Sequence, residues 1–226
     1  MTPAPFQLII FDCDGVLIDS EIISARMLIA ALADRGVRID LAYVARHFLG
    51  RSYPVVMQTI RQDFGLDLPP AFEEDYRERL LEGFRQGLQI IPDVGAVLDG
   101  LAAPWCVATS SSPRRAEMSL ALVGLWPRVA ERLFTASQVA RGKPAPDLFL
   151  HVAARMGADP ARTLVIEDSL TGIEAARAAG MQVWRFTGGS HMGADPPEEP
   201  PEARPHFRFA SFAQFFQIAP DLRRQG

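Results

Sequence analysis

The feature that most constrains this chain lies near its start, in residues 6–20, FQLIIFDCDGVLIDS. An unbroken apolar run at residues 8–11 leads directly into two aspartates, Asp12 and Asp14. A run this short and this rich in Ile and Phe predicts a strand buried on both faces, as in a parallel sheet. Because ligands bind at the carboxyl ends of strands in open α/β sheets, both aspartates are candidate functional residues. Crowded carboxylates repel one another, so such a site needs a cation or a basic side chain.

The segment after this strand has the pattern of helices. Ile23, Met27 and Ala31 recur at helical spacing, and the apolar residues at positions 72, 76, 80 and 84 fall four apart between charges. A crossover between parallel strands needs only about a dozen residues, and this segment is far longer. We therefore expect residues 18–88 to form an all-helical cap domain, rather than a set of crossover helices. The cap would be inserted into a core domain made of residues 1–17 and 89–226.

The remainder of the chain alternates between buried strands and helices. Ser112-Pro113 is typical of a helix start, and Ser169 is expected to cap an Ala-rich helix. Residues 195–205 are rich in Pro and Glu and predict an exposed loop. Such alternation predicts an α/β fold, a Rossmann-like doubly wound parallel sheet. The later strands are expected at residues 105–109, 133–135, 163–166, 183–186 and at the start of 207–216.

Composition narrows the classes of partner. The net charge of -4 and the pI of about 5.6 give no basic surface for nucleic acid. No secretory signal is visible, and no apolar run reaches the roughly 18 residues that span a membrane. Cys13 and Cys106 lie in apolar contexts and are expected to be buried thiols. We expect a cytoplasmic protein, and a monomer because no apolar surface stripe is evident.

Polar residues stand at four strand ends or loops of the predicted sheet. Each has a simple structural explanation by itself, as a turn residue, a helix cap or a surface lysine. Together they are expected to face one edge of the sheet, because the ends of parallel strands meet there. The candidates are Asp12 and Asp14, Ser110, Lys143, and Glu167 with Asp168.

This set suits phosphoryl transfer through an aspartyl phosphate. An Asp carboxylate can act as the nucleophile, and Mg2+ prefers oxygen ligands such as Asp12, Asp168 and a turn carbonyl. Lys143 and the Ser110 hydroxyl would hold the phosphate oxygens as charge develops. Asp14 suits a proton carrier, which protonates the departing alkoxide and then takes a proton from water.

Four motifs occur in the order seen in the haloacid dehalogenase-like (HAD) superfamily: FDCDGVLIDSE, VATSSSP, GKPAPDLF and VIEDSLTGIEAARAAG. The chain most resembles the helical-cap branch that contains β-phosphoglucomutases and sugar-phosphate phosphatases, including 6-phosphogluconate phosphatases. The resemblance implies that Asp12 is the nucleophile, Asp14 the general acid/base and Asp168 the main Mg2+ ligand. It further implies catalytic residues Asp12, Asp14, Ser110 and Lys143, substrate-binding residues Arg51, Ser110, Ser111 and Lys143, and metal ligands Asp12, Asp14, Glu167 and Asp168.

Some details narrow the chemistry further. Dehalogenases of the superfamily lack the second aspartate, so Asp14 indicates phosphorus chemistry. Phosphonatases use a cap lysine, and residues 18–88 contain none. Arg51 lies in a cap loop where it could bind a second phosphate or a carboxylate, or could simply be solvated. His191 follows Gly-Gly-Ser and could be a rim residue or part of an exposed loop.

The expected function is a Mg2+-dependent phosphatase for a small phosphorylated metabolite, such as a sugar phosphate or a sugar-acid phosphate. A phosphomutase of the β-phosphoglucomutase type is an alternative, because it uses the same residues and differs in whether water or a sugar hydroxyl receives the phosphoryl group. A receiver-like phospho-aspartate switch and a pseudo-enzyme that only binds are further alternatives.

Overall fold

The computed structural model describes residues 6–193 and 198–225. Its centre is a six-stranded sheet in the order β3-β2-β1-β4-β5-β6, in which every neighbouring pair is parallel. The chain leaves the central strand β1 towards β2 and β3 on one side and later returns to β4 on the other. This reversal at β1 is the topological switch point, where open α/β sheets bind ligands. The strands are β1 (Leu8–Phe11), β2 (Trp105–Thr109), β3 (Leu133–Thr135), β4 (Thr163–Glu167), β5 (Gln182–Phe186) and β6 (Phe207–Phe209).

The predicted burial of β1 on both faces is confirmed. Ile9 and Phe11 belong to one apolar cluster, whereas Leu8 and Ile10 belong to the cluster on the opposite face. All four residues are almost completely buried, as expected for a strand covered by helices on both sides. The strand therefore delivers Asp12 from a fixed position in the middle of the sheet.

Five helices lie between β1 and β2, and the first four of them lie within the range predicted for the cap. The four-residue spacing in α4 has its expected consequence, because Phe72, Tyr76, Leu80 and Phe84 are all buried. The division into residues 1–17 with 89–226 and residues 18–88 stays a prediction. These first four helices are α1 (Glu21–Ala33), α2 (Leu41–His47), α3 (Tyr53–Phe64) and α4 (Pro70–Gly87).

The remaining helices flank the sheet, and the two for which the sequence predicted a cap, Ser112 and Ser169, begin there as expected. The Ser112 hydroxyl accepts a hydrogen bond from Arg115 N at 3.4 Å, and the Ser169 hydroxyl accepts one from Gly172 N at 3.1 Å. These bonds satisfy backbone donors of the first helical turn. The helices are α5 (Val94–Gly100), α6 (Pro113–Leu122), α7 (Trp126–Val129), α8 (Asp147–Met156), α9 (Leu170–Ala178) and α10 (Phe215–Ile218).

The exposed loop predicted at residues 195–205 is partly wrong. Residues 194–197 lie outside the described residues, but Ala203 and Pro205 are buried, and Ala203 packs in the cluster beneath α8 and α9. Cys13 and Cys106 are buried free thiols, as predicted. None of the described helices has the length and apolarity to cross a membrane.

Candidate active site

The carboxyl ends of β1, β2 and β4 meet at one point of the sheet edge. Lys143, from the loop before α8, donates hydrogen bonds to Asp12 Oδ1 at 2.6 Å and to Glu167 Oε1 at 2.7 Å. Its third contact is with the carbonyl oxygen of Ala108 on β2, at 3.2 Å. The side chain is buried, and it is the only lysine of the chain. The predicted convergence of these distant residues is therefore present in the structure.

Asp12, Glu167 and Asp168 form a cluster that could hold a metal ion. One carboxylate oxygen from each lies within 4.8 Å of those from the others, and all three residues are buried. Burial raises the pKa of Asp12 well above its usual value, although Lys143 opposes the shift. Burial likewise raises the pKa of Asp168, and Glu167 adds to the effect. Three carboxylates beside one ammonium group leave an excess of negative charge that a divalent cation would neutralise.

The chemistry of these donors fits Mg2+, which prefers hard oxygen ligands and keeps several waters. Asp168 Oδ2 is buried and has no hydrogen-bond partner among the described residues. Glu167 is less available, because its Oε2 already accepts hydrogen bonds from Asp168 N and Ser169 N, both at 2.8 Å. Its Oε1 accepts the bond from Lys143. Asp12 and Asp168 are therefore the better candidates for direct ligation.

Asp14 points away from this cluster and is surrounded by donors. Its Oδ1 accepts hydrogen bonds from Ser20 Oγ at 2.6 Å and from Arg115 Nη2 at 3.0 Å. Its Oδ2 accepts them from Ser111 Oγ at 2.7 Å and from Thr109 Oγ1 at 3.3 Å. Burial by itself would raise the pKa of Asp14, but Arg115 and the hydroxyls outweigh it and lower the pKa. These contacts do not support the prediction that Asp14 ligates the metal, and its role in proton transfer stays a prediction.

Ser110 has a different partner from the one expected. Its hydroxyl donates to the carbonyl oxygen of Gly50, in the cap, at 2.9 Å. A second contact of this kind joins Thr171 Oγ1 to Leu49 O at 3.3 Å. In this arrangement Ser110 joins the core to the cap loop, so its role as a phosphate ligand is not supported. The hydroxyl that stands at the end of β2 belongs to Thr109, which is buried.

A cavity of about 600 Å³ lies between the cap and the core. Asp12 and Asp14 reach it from the core, while Arg51, which is half-buried, reaches it from the cap loop. The structure therefore brings the predicted substrate residues Arg51, Ser110 and Ser111 to one cavity. Apolar side chains form much of the cap wall, among them Leu28, Val44, Phe48, Val56, Met57, Leu80 and Phe84.

Sequence reasoning missed Arg115, and it left two roles open for Glu21, as a residue that lines the cleft or as the start of the first cap helix. Arg115 stands in the first turn of α6, where a positive charge opposes the helix dipole, and this unfavourable placement was a signal that it has an anionic partner. Its guanidinium bonds Asp14 and lies 5.5 Å from the ring centroid of Phe84 in the cap. Glu21 lines the cavity, where burial raises its pKa to about 7 and the charges of Asp14 and Asp168 add to the shift.

His191 lies beside Asp168, not in an exposed loop. Its Nε2 is 2.9 Å from Asp168 Oδ2, and its side chain is only 8% exposed. Burial lowers the pKa of His191. Of the two alternatives drawn from the sequence, the exposed loop is wrong.

Comparisons with known proteins agree with the motifs. The family model of haloacid dehalogenase-like hydrolases matches residues 6–180. The chain is 27% identical over 186 residues to 6-phosphogluconate phosphatase of Escherichia coli (strain K12), covering 82% of this chain and 84% of that protein. It is 34% identical over 176 residues to fructose-1-phosphate phosphatase YqaB of the same organism, covering 76% and 92%. The crystal structure of a conserved haloacid dehalogenase-like protein of unknown function, ATU0790 from Agrobacterium tumefaciens str. C58, has a TM-score of 0.78 and 34% identity, covering 95% and 98%.

Proposed function

The chain belongs to the haloacid dehalogenase-like hydrolases, and from that premise we propose that it is a Mg2+-dependent phosphatase that works through an aspartyl phosphate. Because its relatives include phosphatases of phosphorylated metabolites, the chain is a phosphoric monoester hydrolase of this kind. The observation that carries the mechanism is the contact of Lys143 with both Asp12, which lines the cap cavity, and Glu167, next to Asp168.

Asp12 is the proposed nucleophile. Lys143 holds its Oδ1, while Oδ2 accepts no hydrogen bond from the part of the chain that the structure describes. The ammonium group favours the ionised carboxylate, which is the reactive form. In the first step a carboxylate oxygen of Asp12 forms a bond to phosphorus, and the bond from phosphorus to the ester oxygen breaks.

Asp12 and Asp168 would hold Mg2+, with Glu167 close by. When bound, the ion supplies positive charge that offsets the repulsion between the carboxylates and the phosphate. Lys143 supplies further positive charge to the phosphoryl group, in a buried site where such interactions are strong.

Asp14 is the proposed proton carrier. It donates a proton to the departing ester oxygen, and it then takes a proton from the water that attacks the phosphorus of the aspartyl phosphate. The second attack breaks the bond between Asp12 and phosphorus and restores the enzyme. Arg115 and the surrounding hydroxyls favour the ionised form of Asp14, which is the form that the water step requires. The donation to the ester oxygen requires the protonated form, which Asp14 regains from the attacking water in each turnover.

The substrate is proposed to be a sugar phosphate or a sugar-acid phosphate. This class is supported by the two relatives, of which one is a 6-phosphogluconate phosphatase and the other a fructose-1-phosphate phosphatase. The cavity of about 600 Å³ has room for such a molecule above Asp12. Arg51 at the cap side suits a carboxylate or hydroxyl group at the end remote from the phosphate.

The test is phosphate release from a panel of esters, with Mg2+ and with EDTA. The panel contains 6-phosphogluconate, fructose 1-phosphate, β-glucose 1-phosphate and phosphoglycolate. We expect turnover of at least one sugar phosphate with Mg2+ only. Asp12→Asn should abolish it, whereas Asp67→Asn, a matched change at an exposed position, should leave it unchanged. Turnover that survives Asp12→Asn, or no turnover of any ester, would contradict the proposal.

The same panel separates the alternatives. Conversion of β-glucose 1-phosphate to glucose 6-phosphate with a bisphosphate primer, in place of phosphate release, would favour the phosphomutase. Mass spectrometry of the denatured protein after rapid quenching should find the phosphoryl group on Asp12. A phosphorylated Asp12 that never turns over would favour the receiver-like switch.

A further inference from the structure

Three buried polar atoms next to the carboxylate cluster lack hydrogen bonds. Asp168 Oδ2 and both ring nitrogens of His191 have no such partner among the described residues. His191 Nε2 is close to Asp168 Oδ2, at 2.9 Å, but the two groups are not aligned as a hydrogen bond. Buried polar atoms nearly always have a partner in native proteins, either in the protein or as ordered water or an ion. These atoms therefore indicate that a polar partner, such as a water or an ion, belongs beside them.

Two glycines leave the space in which the imidazole of His191 lies. Gly15 has φ +79, and a Cβ there would lie 2.0 Å from Asp168 Oδ2 and 2.9 Å from His191 Cε1. A Cβ on Gly189 would lie 2.6 Å from the same carbon of His191. Only glycine at these two positions leaves room for the ring beside Asp168.

The loop that carries His191 is also tied to the first motif. Ser190 donates to Asp19 Oδ1 from both its backbone N, at 3.0 Å, and its hydroxyl, at 2.9 Å. Asp19 lies just before α1 and a few residues after the catalytic aspartates. The imidazole is thus held in place from the side of β5 and from the side of β1.

We propose that His191 is an outer-sphere ligand of the divalent ion, hydrogen-bonded to a water that the ion binds. This inference rests on the proposed Mg2+ site at Asp12 and Asp168. Mg2+ keeps several of its waters in proteins, and with Asp168 as a direct ligand one of these waters could bond a ring nitrogen of His191, which lies beside Asp168. His191 is then a positioning residue, which strengthens the binding of the ion without touching the substrate.

The first test measures Mg2+ binding by calorimetry with the full chain and no substrate. His191→Phe removes the hydrogen bond, and Kd should rise by roughly 10–100-fold, as for other residues that support metal ligands. His191→Gln keeps a polar group and should lose less affinity. His47→Gln, in the cap, is the matched control and should bind as the wild type does. A folded His191→Phe variant with unchanged Kd would overturn the proposal.

The second test measures metal binding with the wild-type protein and uses the His191→Gln variant only to assign the signal. The chain has four histidines, so their imidazole signals can be resolved by NMR. Substoichiometric Mn2+ should broaden one imidazole first, and His191→Gln should remove that signal from the spectrum. Broadening that starts at another histidine would refute the proposal.

The two proposals fail in different ways. If the wild type binds neither Mg2+ nor Mn2+, the metal site and the proposed function both fail. If the wild type binds Mg2+ and turns over its substrate while the His191 variants bind the ion equally well, only the role of His191 fails.

Discussion

Replacement of Lys143 by methionine tests the electrostatic balance of the site. The side chain lies between Asp12 and Glu167, at 2.6 and 2.7 Å, and all three side chains are almost fully buried. With an effective dielectric constant of about 20, each contact contributes a gross attraction of roughly 6 kcal/mol. The cost of removing the ions from water offsets most of it.

Methionine leaves two buried carboxylates without their cation. We therefore expect Lys143→Met to lower the free energy of unfolding by about 3–5 kcal/mol at neutral pH, the usual loss when one partner of a buried ion pair is removed. Burial already raises the pKa of Asp12, and loss of the ammonium group raises it further. Because protonation removes the uncompensated charge, the loss should shrink as the pH falls towards 5.

The assay is urea unfolding in EDTA, repeated with Mg2+. Arg141→Met is the matched control: Arg141 stands two positions before Lys143 and pairs with Asp147, but its side chain is exposed, so its loss should leave the midpoint unchanged. Mg2+ should restore part of the stability of Lys143→Met, because an ion that binds only the native state stabilises it. An unfolding midpoint in EDTA equal to that of the wild type would refute the reasoning.

Further changes test the proton carrier, the cavity and the cap loop. Asp14→Asn should reduce kcat for a sugar phosphate by roughly 10²–10⁴-fold. The reduction should be smaller for a substrate with a good leaving group, such as an aryl alcohol. An equal loss for the two substrates would contradict the role of Asp14 in proton transfer. Glu21 has a pKa of about 7, so it becomes negative as the pH rises through that value and KM should increase; Glu21→Gln should abolish this rise in a pH profile. Gly50→Ala should lower kcat/KM, because its Cβ would lie 2.3 Å from Ser169 Oγ, whereas Gly65→Ala, also at positive φ but in open space, should not.

Several features of the site followed from local patterns. The apolar run before Asp12 specifies a buried strand, and parallel strands must place their carboxyl ends at one edge. For that reason the meeting of Asp12, Lys143, Glu167 and Asp168 could be predicted from segments far apart in the chain.

Other assignments required the packed structure. The sequence could not show whether Ser110 or Thr109 stands at the end of β2, because neighbouring side chains on a strand point to opposite sides and the last strand residue is uncertain. The structure gives that place to Thr109 and turns the Ser110 hydroxyl towards Gly50. The direction of Asp14, too, depends on Arg115, a residue 101 positions away.

The sequence by itself determined the fold class, the helical insertion and the meeting of distant charged residues at one edge of the sheet. The hydrophobic period and the order of the elements are local properties, and they specify which segments of the chain reach the sheet edge. Only the tertiary structure decided which hydrogen-bond and charge partners each side chain of the site has. Arg115, Glu21 and His191 come to the site through the packing of the cap and of the loop after β5, and their contacts depend on distances that no local pattern encodes.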